Sequence, residues 1–94
     1  MNKVIMIATV ASEPEQTRNG VTFRVRHGKD YFTINASEKL AEVCFELKEG
    51  DVVHFDGALK NTPVGTGESR RYRPEIALHY IKAQKSRQFN HFEM

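Results

Sequence analysis

The sequence predicts an all-β domain of five strands with one α-helix between the third and the fourth. Three observations carry that prediction. Residues 21–36, VTFRVRHGKDYFTINA, alternate in polarity on either side of a central Gly28-Lys29 pair. Residues 37–49 then switch to a helical period, with Leu40, Val43, Cys44 and Leu47 at i, i+3, i+4 and i+7. Strand-like runs lie before and after these two segments, at 3–11, 51–60 and 72–83.

Taken in order, residues 3–11 (KVIMIATVA) are apolar at nearly every position, which describes a strand with two apolar faces. Ser12-Glu13-Pro14-Glu15 stops that strand, and Asn19-Gly20 marks a turn. The hairpin follows, and a glycine at the first turn position suits a type II′ turn. That turn sets the register: Arg26 faces Tyr31, Val25 faces Phe32, Arg24 faces Thr33, Phe23 faces Ile34 and Val21 faces Ala36. One face then holds Val21, Phe23, Val25, Phe32, Ile34 and Ala36 and requires a core. The other holds Thr22, Arg24, Arg26, Tyr31, Thr33 and Asn35.

For the helix, Asn35 or Ser37 is the N-cap, Asn35 with Glu38 having the better capping-box spacing, and Gly50 is the C′ residue. Cys44 lies on the apolar helical face as a small core residue. In the next strand Val53, Phe55 and Leu59 share a face opposite His54 and Lys60, and Gly57 marks a bulge or bend. Residues 61–71 read as a Gly/Ser/Thr loop that turns basic at its end. In the last strand Ile76, Leu78 and Tyr80 alternate, and Pro74 puts its start on a sheet edge. Residues 84–94 show no pattern and form a loose tail in which Phe89 and Phe92 are the candidates for docking. Five strands with a helix after the third is the layout of an OB-fold, a partly open Greek-key barrel, here over residues 1–83.

With 94 residues the chain has room for one small domain. The formal charge of +2, from 14 basic and 12 acidic residues, is too mild to indicate a polyanionic partner by itself. A lone cysteine excludes an intrachain disulfide framework and fits a reducing compartment. No run approaches a membrane span, and the first residues lack a signal-peptide layout, so a cytoplasmic protein is expected. His27, His54, His79 and His91 have no metal-type spacing, and Gly65-Thr66-Gly67-Glu68-Ser69 lacks the lysine of a phosphate loop. Asp51 and Asp56, at odd separation on a strand, fall on opposite faces and make no acid pair. No enzyme, metal site or cofactor is expected.

At these residues the chain resembles the bacterial single-stranded DNA-binding protein (SSB) family. The resemblance rests on residues 1–7 with Pro14-Glu15, Asp30-Tyr31-Phe32, Lys39-Leu40-Ala41-Glu42, Lys48-Glu49-Gly50-Asp51-Val52-Val53 and Phe55-Asp56-Gly57-Ala58-Leu59. Residues 72–81, with Glu75 in the matching place, are similar to the closing strand of that family. The departures are as informative. There is no tryptophan, Ser37 replaces a usually aromatic position, and the Gly28-Lys29 turn stands where the family has a long arm. The acidic C-terminal tip is missing as well, which implies no tail-mediated recruitment of partners. Together they describe a divergent short SSB-like member, comparable to the primosomal protein PriB.

The candidate nucleic-acid-binding residues are Arg24, Arg26, Tyr31, Thr33, Lys60, Arg70, Arg71, Tyr72 and Arg73. Cations neutralise phosphates and release counterions, and rings stack bases. Tyr31 matches a stacking position of the SSB family and keeps its ring. Arg70 and Arg71 alone would equally describe a solvated loop. Thr33 and Asn35 are candidates for hydrogen bonds to sugars or bases. The SSB family associates partly through its first strand, so Val4, Ile5, Met6 and Ile7 are the candidate oligomer interface, for a homodimer or homotetramer. The resulting expectation is sequence-tolerant binding of single-stranded DNA, in replication, recombination or repair, with RNA open because no 2′-OH reader is evident. The alternative is an OB-fold protein-interaction module with weak or no nucleic-acid binding.

Overall fold

The structure is a computed structural model and describes residues 2–84. It contains β1 (Val4–Val10), β2 (Glu15–Thr17), β3 (Gly20–His27), β4 (Asp30–Ser37), α1 (Glu38–Phe45), β5 (Val52–Val64), a 3-10 turn (Gly67–Ser69) and β6 (Arg71–Gln84). The strands form one sheet in the order β1-β5-β6-β4-β3-β2, and an added β1–β3 pairing closes it. Five strands build the barrel wall. β2 is a three-residue strand that pairs with β3 alone. This is the expected OB-fold, with α1 between the third and fourth barrel strands.

The β3–β4 hairpin has the register read from sequence, from Gly20↔Ser37 to His27↔Asp30. Gly28 has φ +66, and among the described residues no non-glycine has positive φ, so Gly28-Lys29 makes a type II′ turn and not a type I′ one. Val21, Phe23, Val25, Ile34 and Ala36 are buried as the alternation requires, whereas Phe32 is half-buried. They pack with Ala8 and Val10 from β1, Cys44 and Leu47 from the α1 region, Val53 and Phe55 from β5, and Ile76, Leu78 and Ile81 from β6. β4 meets β6 in parallel at Thr33↔Glu75, Ile34↔Ile76 and Asn35↔Ala77, which brings the last strand beside the hairpin.

Several local expectations are corrected. The turn before β3 is centred on Arg18-Asn19, because Gly20 already pairs with Thr17. Ser37 is the helix N-cap, without a side-chain bond, since the Asn35 amide is used across the sheet. The helix ends at Phe45, where the Glu46 and Leu47 amides tighten the last turn by donating to the Val43 and Cys44 carbonyls. Val43 therefore stays 47% exposed while Leu47, beyond the helix, is buried. Gly50 is not the helix C′ residue. With φ +98 it is the third residue of a turn in which the Asp51 amide donates to Lys48 O, the place where a type II turn needs positive φ.

The largest correction concerns residues 61–71. β5 runs on through Pro63 to Val64 and pairs as far as Val64↔Arg71, so the expected loop is a two-stranded arm closed by residues 65–70. Each strand supplies the other's hydrogen-bonding partners, and local composition does not report such pairing. Pro74 lies just before the first β4–β6 pair, on a stretch paired only with β5, as its missing N–H requires. Gly57 marks the expected irregularity: Asp56 pairs with Tyr80 but Gly57 with Leu78, so His79 is the extra residue. A Cβ on Gly57 would lie 2.3 Å from Ala77 O. The bulge also reverses the alternation of β6, turning Tyr80 outward and Ile81 into the core. Gln84, assigned to the tail from sequence, is the last residue of β6. Phe89 and Phe92 lie outside the described residues.

Candidate nucleic-acid interface

Residues paired across neighbouring strands share a sheet face, so the registers place each candidate. On β3 and β4 the outward face carries Thr22, Arg24, Arg26, Tyr31, Thr33 and Asn35. The parallel pair Thr33↔Glu75 continues it onto β6. The pairs Lys60↔Glu75, Thr62↔Arg73 and Val64↔Arg71 carry it across β6 and β5 onto the arm. Arg24, Arg26, Tyr31, Thr33, Lys60, Arg71 and Arg73 therefore occupy one continuous surface.

Tyr72 does not join them. It pairs with Pro63 and so points to the other face of the arm, where it is 62% exposed. Arg70 goes with it, its guanidinium carbon 5.8 Å from the Tyr72 ring centroid. Alternation along a strand separates Tyr72 from both Arg71 and Arg73, a consequence hidden while the segment read as a loop.

An open cleft of about 430 Å³ lies in the shared face, lined by Arg24, Tyr31, Thr33, Arg73 and Pro74. Tyr31 is half exposed, with the Arg24 guanidinium carbon 5.0 Å from its ring centroid. Arg26 reaches back to the turn, with Nη1 3.4 Å from Gly28 O.

Beside the cleft sits a residue whose role the sequence did not disclose. Glu75 is 9% exposed and bridges three strands. Its Oε1 accepts from Asn35 Nδ2 at 2.7 Å and from Thr62 Oγ1 at 3.0 Å. Its Oε2 accepts from Arg73 Nε at 3.0 Å, and Arg73 Nη2 lies at 3.0 Å from the same oxygen. Thr22 Oγ1 extends the network by donating to Asn35 Oδ1 at 3.0 Å. Burial pushes the Glu75 carboxyl up, but the bonds from Asn35, Thr62 and Arg73 and the charge of Arg73 outweigh it, leaving it below the usual glutamate value. The Asn35 amide is thus engaged within the protein. The cross-strand registers bring Asn35 and Thr62 to this carboxylate, while Arg73, two residues before it on β6, shares its face by alternation.

Elsewhere the chemistry is sparse. Burial pushes the Cys44 thiol up to about 11, the opposite of what a nucleophile needs. Among the described residues no group of three or more His, Cys, Asp or Glu could hold a metal ion, and no helix is long and apolar enough to cross a membrane.

On β1, Val4 and Met6 are half-buried against the core, whereas Ile5 and Ile7 are 76% and 56% exposed. Ile5↔Asp56 and Asp56↔Tyr80 extend that outer face to Tyr80, also 56% exposed. Of the four expected interface residues, Ile5 and Ile7 are the outward pair.

The sequence matches the family model of the wolframin C-terminal OB-fold domain over residues 9–93. The chain belongs to that family. No curated protein matches it. Among solved structures, this wolframin-type OB domain is similar to the small single-stranded DNA-binding protein of Streptomyces coelicolor, with TM-score 0.71 and 25% identity over 93% of this chain and 99% of that one. It is similar in fold to the mitochondrial single-stranded DNA-binding protein Rim1 of S. cerevisiae, with TM-score 0.71 and 14% identity over 88% and 94% of the two chains. A chain of a replication protein A heterotrimer bound to single-stranded DNA also shares the fold, with TM-score 0.64 and 15% identity over 98% of this chain and 65% of that one.

Proposed function

We propose that this domain binds single-stranded DNA, in a sequence-tolerant way, through the outward face of β3, β4, β6 and the arm. The observation that carries the reading is the cleft that joins Arg24, Tyr31, Thr33 and Arg73 on one sheet face. A ring flanked by cations offers a base a stacking surface and a phosphate a counter-charge. The flanking cations Arg26, Lys60 and Arg71 extend the electropositive track along the same face. The likeness to the Streptomyces coelicolor protein supports the reading, as does the resemblance of residues 1–83 to the SSB family. Arg70 and Tyr72 contribute from the far face of the arm, so only a strand that crosses the arm reaches them. The domain acts as an SSB-like homo-oligomer in DNA replication, recombination or repair, assembled through β1 and its exposed Ile5 and Ile7.

The test is a titration with fluorescent oligo-dT, repeated with a duplex of equal length and over a range of salt. Tighter binding of the single strand is expected, with log K falling by about 0.7 per log unit of salt for each phosphate neutralised. Equal affinity for duplex, or no salt dependence, would overturn it.

A further inference from the structure

Arg73 differs from the other cations of the binding face. Its Nε and Nη2 both lie 3.0 Å from Glu75 Oε2, and that carboxylate is held by Asn35 and Thr62. The carboxylate has hydrogen-bond partners on three strands, so it cannot swing away without breaking bonds to β4, β5 and β6. Arg73 is more than half exposed and lines the cleft beside Tyr31 and Thr33. A phosphate approaching this guanidinium would meet an ionised carboxylate one hydrogen bond behind it. A nucleobase would meet no such penalty, because a guanidinium is planar and stacks on π-systems whether or not it is paired. Among the described residues neither Arg24 nor Lys60 makes a salt bridge to a carboxylate, although Lys60 lies opposite Glu75 on the ladder.

We propose that Glu75 neutralises Arg73 and fixes its guanidinium as a wall of the Arg24–Tyr31–Thr33–Pro74 cleft, making that cleft a subsite for one nucleobase instead of a phosphate. This rests on the single-strand reading above. Phosphates are then neutralised around the cleft, by Arg24, Arg26, Lys60 and Arg71. Glu75 is a positioning residue: it acts through Arg73.

The experiment measures the salt dependence of binding to oligo-dT and to an abasic oligonucleotide of the same length, for the wild type, Arg24→Gln, Arg73→Gln and Glu75→Gln. Arg24→Gln is expected to make the log K against log salt slope shallower by about 0.7, the loss of one phosphate contact. Arg73→Gln is expected to weaken oligo-dT binding about two- to fivefold, the size of an exposed cation–π contact. The abasic strand should lose less than oligo-dT does. Glu75→Gln, if its melting curve shows it folded, is expected to steepen the slope by about 0.7, because Arg73 becomes a free cation. An unchanged slope for a folded Glu75→Gln would overturn the inference. So would an Arg73→Gln loss that is equal on both oligonucleotides, even if Glu75→Gln fails to fold. Absence of wild-type binding at low salt would instead remove the single-strand reading, and the base subsite with it.

Discussion

The guanidinium of Arg24 lies over the ring of Tyr31, 5.0 Å from its centroid, although the two residues are diagonal and not directly opposite on the hairpin. Their neighbours across the ladder are Thr33 and Arg26. The pair is possible because the Gly28-Lys29 turn puts both side chains on the outward face, and long side chains reach diagonally across antiparallel strands.

Tyr31→Ala is expected to weaken oligo-dT binding by ~1–3 kcal/mol, the usual contribution of a base stacked on a ring. It should cost little fold stability, because the ring is half exposed and outside the core. Tyr31→Phe should keep most of the affinity, since stacking uses the ring and not the hydroxyl. Oligo-dT affinity and thermal melting, measured together, check this. A Tyr31→Ala protein that melts much earlier but binds as before would contradict the placement of the ring.

The two phenylalanines of the hairpin should differ in their cost. Phe23 is 2% exposed at the centre of the core, and Phe23→Ala is expected to lose about 3–5 kcal/mol of stability. Phe32 is half-buried, so Phe32→Ala should lose about 1–2 kcal/mol, in proportion to the smaller area it removes from water. Denaturant unfolding gives both values, and equal losses would contradict the partial burial of Phe32.

Glu75 contributes a pH dependence whose sign follows from its lowered folded-state pKa. The folded state binds this proton less readily than the unfolded chain. Its contribution is therefore fully present above the ordinary glutamate pKa of about 4.3 and is lost as pH falls through the lower folded value. The wild-type melting temperature should fall more steeply than that of Glu75→Gln as pH drops from 5 towards 3. Parallel curves would show that the carboxylate is not held by Asn35, Thr62 and Arg73 in solution.

The exposed faces of Ile5 and Ile7 lead to an expectation about assembly. Light scattering at tens of micromolar protein should give a homodimer or a larger homo-oligomer, and Ile5→Glu with Ile7→Glu should shift the mass towards the monomer. Both side chains point away from the core, so the double variant should keep its melting transition. A wild-type monomer would refute the role given to β1.

Features that depend on alternation and on a single turn were legible in the residues alone. The Gly28 turn requires positive φ, and once that turn is placed every side chain from Val21 to Ala36 has its face assigned. The order of five barrel strands and one helix follows from changes of period along the chain, which are local. The other features came from pairing between distant strands. Residues 61–64 became a strand because residues 71–74 lie beside them, and that pairing turned Tyr72 away from Arg71 and Arg73. The His79 bulge exchanged the faces of Tyr80 and Ile81. Asn35 left the helix cap for a carboxylate forty residues further along the chain. Each of these depends on which strand becomes the neighbour, and hydrogen bonds between distant segments leave no trace in the composition of either one.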